Sequence, residues 1–525
     1  MVSSSAASSS RHFRLPPPRT FLSAFAVAFF GTVPYSYQSL LNQPSEILKK
    51  FVAASFFDHY GVHLTQGQLS GLWGFICACI CLGGMLGAAI FNRVSERFGR
   101  KNGALVFNMS SKQLHVYVHY KFVKILINKR LAKSQTAVKA PASIIITGSL
   151  LQATSKSFNS FELLIVGRFV TGISVTLSIV CSVYLSESTP DYCRGCCSVM
   201  VSLMFGFWSM VVTAIGLPSL LGTEALWPLL LAYGIPFALC SVLLSRLLPE
   251  SPKYLYLHEK NAAAASAAVQ FFHGPNVDVE AVLAEFRREE ETARLSREGR
   301  QEYSYRRILQ KPHLRRPFWL TVLVYCSCAF VGIDVAYQYS NEVLQDVGLD
   351  ERNAALAVVL TQLPAVLSSA CALWLVERLG RRRLMFLALA VAMTGFLLFL
   401  VSDLSSLLAL AALVLIYCAH HGGASPERDI IAGDVCPQAI RAKSAGAGTM
   451  TSFFASFVVV VAFPPLEDII DTYTFLILLV VCLLCFAWFW KFMPETTQLP
   501  VDETVHQWIQ IKKIDQEFDD SYPAY

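Results

Sequence analysis

Glu96-Arg97-Phe98-Gly99-Arg100-Lys101 and Glu377-Arg378-Leu379-Gly380-Arg381-Arg382 are one charged string written twice, each time between long apolar runs. Two further echoes accompany it: Pro249-Glu250-Ser251 with Pro494-Glu495-Thr496, and Glu187-x6-Arg194 with Asp434-x6-Arg441. The separations are 281 for the first pair, 245 for the second and 247 for the third. A repeat unit of about 246 residues follows, with extra sequence between Arg97 and Arg194. Internal duplication of apolar spans is how secondary transporters are built from two related halves.

Composition leads to the same class. Of 525 residues, 54% are hydrophobic and only 15% charged, against roughly 25% charged in soluble chains; mean hydropathy is +0.48. Twelve runs are long enough for a helix to cross about 30 Å of hydrocarbon: 20–42, 69–91, 103–108 continuing at 142–157, 161–186, 196–221, 225–248, 317–340, 353–376, 384–402, 404–424, 444–466 and 470–493. None alternates with period two, which excludes a β-barrel. The expected fold is an all-α polytopic membrane protein embedded in a lipid bilayer, its helices arranged as two pseudo-symmetric bundles of six.

Basic residues concentrate in alternate loops: Arg11, Arg14 and Arg19, then Arg93, Arg97, Arg100 and Lys101, then Arg194, Arg378, Arg381 to Arg383, Arg441 and Lys443. The opposite loops offer little beyond Lys49, Lys50, Lys156 and Arg352. The positive-inside rule then places both termini in the cytosol, and the plasma membrane is the expected location. Of the fifteen cysteines, none falls in an expected outer loop; those in spans act as small hydrophobes, and those facing the cytosol stay reduced. Cys193-x2-Cys196 lacks a second ligand pair, so no zinc site is expected. No cofactor, metal, nucleotide or nucleic-acid motif is present.

The expected domains are a cytosolic tail over 1–19, a first bundle over 20–248, a cytosolic central loop over 249–316, a second bundle over 317–493 and a cytosolic tail over 494–525. The central loop loses the apolar bias and reads as short amphipathic helices. Span 3 is interrupted. Residues 109–141 carry seven basic residues and no acid, each costing roughly 2.5–3.5 kcal/mol at mid-membrane. Joining Gly103–Asn108 directly to residues 142–157 restores an ordinary span and brings the 281 separation to 248. Residues 109–141 therefore read as an insertion.

Further strings occur in order along the chain. They are Asn42-Gln43-Pro44, Gly99-Arg100-Lys101, Gly167-Arg168-Phe169-x2-Gly172, Tyr184-x2-Glu187-x2-Pro190-x3-Arg194-Gly195, Leu226-Trp227-Pro228-Leu229-Leu230 and Ser251-Pro252-Lys253-Tyr254-Leu255. Together with the repeats they resemble the sugar-transporter family of the major facilitator superfamily, especially the animal facilitative glucose transporters. The resemblance implies a pocket between the halves near the bilayer midplane, reached alternately from each side, with no covalent chemistry. It also implies a cytosolic latch of carboxylates and guanidiniums at helix ends: Arg100, Glu187, Arg194, Glu250, Glu377, Arg381, Arg382, Asp434 and Arg441. Read from the residues alone, these charges set topology, and as exposed pairs contribute little.

Carried over position by position, the pocket is where the chain departs from the family. Ser202, Cys328, Ala329 and Ala365 stand where amides are expected, and Asp334 stands for an asparagine. Span 10 reads His420-His421-Gly422-Gly423-Ala424-Ser425-Pro426-Glu427-Arg428-Asp429, with Asp429 near a tryptophan position; span 11 offers Ser452 and Phe453 for Asn and Trp. Asp334 and Asp429 are ionisable groups at membrane depth, which point either to function or to an internal pair, Asp429 or Glu427 with Arg428, or Asp334 with His421; His421, another pocket candidate, could sense protons near neutral pH. Related symporters carry an acid in span 1, whereas here no carboxylate lies between Thr20 and Glu46. The leading expectation is facilitated diffusion of a hexose or similar small polyol. Two other readings stay open: a charged organic solute or proton-coupled carrier using Asp334 and Asp429, and a transport-silent sensor on the same fold.

Overall fold

The computed structural model describes residues 18–98, 142–177, 184, 185, 187–190, 194–257, 259–275, 277–298 and 304–494. Among these there is no strand. The first half contains α1 (Pro18–Gly31), α2 (Ser45–Tyr60), α3 (Gln66–Phe98), α4 (Ala142–Thr154), α5 (Phe161–Leu177), α6 (Arg194–Ile215), α7 (Trp227–Leu231) and α8 (Gly234–Leu247). Four shorter or amphipathic helices follow: α9 (Pro252–Leu257), α10 (Ala262–His273), α11 (Val279–Glu298) and α12 (Tyr305–Gln310). The second half contains α13 (Pro312–Phe330), α14 (Ile333–Asp346), α15 (Glu351–Leu379), α16 (Arg381–Phe399), α17 (Ser406–Ala419), α18 (Ser425–Val435), α19 (Gln438–Ile470) and α20 (Thr474–Phe492). Six membrane spans of sufficient length and apolar character are found among the described residues, and three shorter apolar helices accompany them. The proposed insertion, 109–141, and Arg100 lie outside the described residues.

The interface between halves obeys the repeat. Across it α3 packs along α19, and α6 packs along α15. In the duplicated register α3 corresponds to α15 and α6 to α19, so each pairing is the image of the other. A twofold exchange of the halves maps the interface onto itself, as two copies of one ancestral bundle require.

Close helix crossings rest on small residues, because lipid offers no hydrophobic drive for helices to associate. A Cβ on Gly172 of α5 would collide with the Ile80 carbonyl of α3, and one on Gly83 with the Phe169 carbonyl. One step along α5, Gly167 meets Gly148 of α4 in the same way. Backbones thus touch where side chains would hold them apart. Spans 1 and 7, which are repeat mates, are both broken. After α1 the chain tightens into a 3-10 segment, Val33–Gln38, opened by Pro34. Between α13 and α14, Gly332 adopts φ 89°, a left-handed conformation that ends one helix and starts the next. Span 10 is interrupted by a π-helical turn, His420–Ala424, between α17 and α18.

The bundle has two ends. Lys49, Asp58, Asn159, Glu224, Glu342 and Asp471 mark the distal end, where Asn159 donates to Asp58 at 2.7 Å and Lys156 to the Glu224 carbonyl. At the terminal end the Tyr184 hydroxyl donates to the Pro249 carbonyl at 2.7 Å, and Thr20 bonds the Phe272 carbonyl, seating α10 against α1.

Replacing Gly172 by Leu is expected to lower the melting temperature of the detergent-purified protein steeply, at a cost of about 3 kcal/mol or more from overpacking. Gly71→Ala, where a Cβ on α3 meets nothing within 4 Å, is the control and should leave melting unchanged.

Candidate functional site

The broken spans meet between the halves, and a buried arginine ties them together. Arg168 of α5 is 0% exposed. It donates to the Tyr37 carbonyl in span 1 at 2.6 Å, to the Cys77 carbonyl of α3 at 2.9 Å and to Gln338 Oε1 of α14 at 3.0 Å. Among the described residues no carboxylate pairs with it. The Gln338 bond crosses between halves, and it is the deepest rung of a ladder along α14. Asn42 donates to Ser340 at 2.8 Å and accepts from the Asn341 backbone at 3.0 Å. On the adjacent α15, the Ala355 carbonyl accepts from Gln43 at 3.1 Å. Lys49 meets Glu342 at 2.7 Å. Together these close the distal end.

Below the ladder, aromatic rings occupy the middle. The His421 Nε2 and Tyr337 hydroxyl lie 2.6 Å apart, and His421 is 5.3 Å from the Phe205 ring of α6, itself 5.1 Å from Tyr35. The π turn brings His421 there: its ring faces Gly206 of the first half, where a Cβ would lie 3.7 Å from it. Behind it, Tyr417 donates to the Ala336 carbonyl at 2.9 Å, and Gln362 of α15 donates to Thr213 of α6 at 3.0 Å. A hydroxylated solute entering this space would meet hydroxyl, imidazole and amide groups from both halves.

The pocket candidates scatter across this region. Asp334 is buried and accepts from Ser456 of α19 at 2.6 Å, with the charge of Arg428 acting on it. The Asp334–His421 pairing that the sequence left open is therefore not made: each has its own partner. Cys328 is buried, its thiol 3.3 Å from the Ala424 carbonyl, where it braces the π turn. Ala329 and Ala365 are buried, while Ser202 is half-buried on α6 below Phe205. Phe453 packs over Gly84 at the crossing of α3 and α19, where a Cβ would lie 2.7 Å from its ring; Ser452 beside it is half-buried. The side chain of Asp429 lies outside the described residues.

Of the latch candidates, Glu187 and Glu250 converge on one turn. The Ser251 hydroxyl donates to Glu187 at 2.9 Å and its backbone N–H to Glu250 at 2.9 Å. Arg382 donates to the Trp490 carbonyl at 2.9 Å, Arg441 to the Cys436 carbonyl at 3.4 Å, and Arg381 is half-buried. These bonds brace each half internally. The side chains of Arg194, Glu377 and Asp434 lie outside the described residues, as does Arg100. Reading the sequence assigned no role to Arg168, Gln338, Asn42 or Glu342. Their signals were present nonetheless: Asn42 and Arg168 sit in quoted strings, and Lys49 is one of few cations on its side.

A model of the family described as sugar (and other) transporter matches residues 135–508. The chain belongs to that family. It is 27% identical over 520 residues to the horse protein named solute carrier family 2, facilitated glucose transporter member 5, covering 97% of this chain and 94% of that one. It is 26% identical to human member 9 over 500 residues, covering 90% and 82%. Among solved structures, the inward-open xylose transporter XylE from E. coli superposes with a TM-score of 0.70 at 18% identity, covering 93% of this chain and 99% of that one. The fold is thus the twelve-helix major facilitator fold, and the protein is integral to a membrane.

Gln338→Leu should leave the Arg168 guanidinium one acceptor short across the interface. A charge-assisted bond of this kind contributes about 1.5–3 kcal/mol, so melting in detergent should fall clearly. An unchanged melt would mean that Arg168 finds an equal partner elsewhere.

Proposed function

We propose that this protein moves a hexose or similar small polyol across the plasma membrane by facilitated diffusion, both termini facing the cytosol. The observation that carries this is the meeting of broken spans 1, 7 and 10 between two symmetric halves, with hydroxyl, amide and imidazole groups directed at the gap. Discontinuous helices are tolerated at membrane depth where they are buried in protein or line a cavity, and secondary transporters place their sites at such breaks. The relatives named above are glucose and xylose transporters by title, which supports a sugar.

Transport proceeds by rocking of the halves. With the distal ladder made, the site is cut off from the distal side; breaking it and closing the terminal end reverses access. Glu187, Glu250, Arg381, Arg382 and Arg441 stand at that terminal end, where the latch would operate. Neutral substrate and uncoupled movement fit the charges. The Arg168 Nη groups donate to neutral acceptors only, and Asp334 accepts from Ser456 with the charge of Arg428 acting on it. The three alternating-access parts (ladder, pocket, latch) need no cofactor.

Purified protein in liposomes should take up radiolabelled hexose down its gradient with no stimulation from an imposed proton gradient. Asp334→Asn should keep uptake within about twofold, since the amide still accepts from Ser456. Gradient-driven accumulation would overturn the uncoupled reading; loss of uptake in a well-folded Asp334→Asn protein would give the carboxylate a transport role.

A further inference from the structure

The stretch that leads into span 7 carries charge of one sign. Between Ser304 and Trp319 stand Arg306, Arg307, Lys311, Arg315 and Arg316, with no aspartate or glutamate among them. The fold holds them in one elbow. Ser304 caps α12, its hydroxyl accepting from the Arg307 N–H at 3.4 Å. Ile308 is fully buried and packs with Leu314 and Phe318 of α13 and with Cys436 and Ile440 at the turn between α18 and α19. Tyr305 stands edge-on to Phe318, ring centroids 6.3 Å apart. Lys311 joins the two helices: its N–H donates to the Arg307 carbonyl at 3.2 Å, and its carbonyl accepts from Leu314 and Arg315 at 3.1 and 2.9 Å.

The outer side of this elbow mixes charge with apolar surface. Arg306, Arg307, Lys311 and Arg315 are exposed and Arg316 is half-buried, while Tyr305, Leu309 and Trp319 are exposed beside them. Residues four apart share a helix face, so Tyr305 lies with Leu309 on α12 and Arg315 with Trp319 on α13. A membrane span runs from Leu314, which sets the elbow where hydrocarbon gives way to headgroups, the depth that tryptophan and tyrosine favour. Topology alone asks for cations on this side. It does not ask for them to be fixed around exposed apolar side chains. Among the described residues no carboxylate pairs with Arg306, Arg315 or Arg316, so their charge is available to a partner outside the chain.

We propose that α12 and the first turns of α13 form a docking surface for the headgroups of anionic phospholipids. The guanidiniums bind phosphate and carboxylate oxygens through their forked N–H groups, and Tyr305, Leu309 and Trp319 rest against the upper acyl chains. Two features of the surface select this occupant. Its charge favours an anionic headgroup over a zwitterionic one, whose ammonium meets the same cations. Its apolar residues favour a lipid over a soluble anion, which would leave them in water. With both termini in the cytosol, as proposed above, the surface meets the leaflet that holds anionic lipid.

Full-length protein is embedded in phosphatidylcholine nanodiscs, which present both leaflets alike, with a trace of photoactivatable phosphatidylserine or of photoactivatable phosphatidylcholine bearing the same acyl chains. After illumination, lipid attached to the peptide spanning 304–319 is counted by mass spectrometry. Phosphatidylserine should label it roughly twentyfold more than phosphatidylcholine, the worth of about two cations at about fivefold each. The triple variant Arg306→Gln, Arg315→Gln, Arg316→Gln should lose most of that excess, whereas Arg352→Gln, at the exposed start of α15, should keep it. Raising salt from about 0.05 M to about 1 M, which shortens the Debye length to about 3 Å, should remove it from the unaltered protein, so the result does not hang on a variant's folding. Equal labelling by the two probes, or an excess that survives either the triple change or the salt, would overturn the docking surface. Loss of the excess to soluble glycerophosphoserine as readily as to added phosphatidylserine would mean a site for free anions and overturn it as well. No solute is moved in this experiment, so the transport reading stands apart from every outcome.

Discussion

The arrangement depends on the guanidinium of Arg168. Within a bilayer no water is at hand, so a buried guanidinium is held by the acceptors the protein offers its Nη groups. Three such acceptors are supplied by three different spans: the Tyr37 carbonyl, the Cys77 carbonyl and Gln338. Tyr37 can serve because span 1 has tightened to a 3-10 segment there, which leaves carbonyls outside the regular helical pattern. The arginine therefore sets where span 1 breaks, how closely α3 approaches α5, and where the moving half must dock. Gly83 and Gly172 complete this by letting the α3 and α5 backbones meet.

Movement needs the opposite property, and the second half supplies it. Gly332 lets α14 pivot relative to α13, and the bonds along one side of α14 all reach the first half. A helix seated on its own half through Asp334, Ala336, Tyr337 and Tyr339, and bonded to the other half along one side, can be released from that other half as a unit. At the other break the π turn displaces His421 from the register of α17, and Cys328 braces that turn through Ala424. Two interruptions with different chemistry thus serve one space: a glycine hinge and an extra residue in a helical turn.

The fold was legible in the sequence because it rests on length, apolar runs and repetition. The duplicated Glu-Arg-x-Gly-Arg strings and the paired Glu187/Arg194 and Asp434/Arg441 spacings anticipate the exchange of α3·α19 with α6·α15. The site was less legible. Assigning span 10 positions by family spacing assumes a regular helix, whereas the π turn rotates everything after Ala424 relative to α17. A similar limit applies to Phe453, whose direction is set by the space over Gly84. Asp334 is buried, and its partner Ser456 lies 122 residues away, so no local pattern announces the bond. Distant pairing also hid Lys49–Glu342: Lys49 stood out as one of few cations on its side, but nothing near it in the sequence names Glu342 as its partner.

That the ladder along α14 closes the distal end, and must break for transport, is most directly tested by a distance across that end. Spin labels carried by non-canonical amino acids at Lys50 of α2 and Glu351 of α15, both exposed, span the gap without competing with native cysteines. In liposomes the predicted distribution has a short component from the closed ladder and a longer one, separated by several ångströms, whose share rises in the Gln338→Leu protein. A single short distance, unchanged by that substitution in protein that still transports, would contradict it.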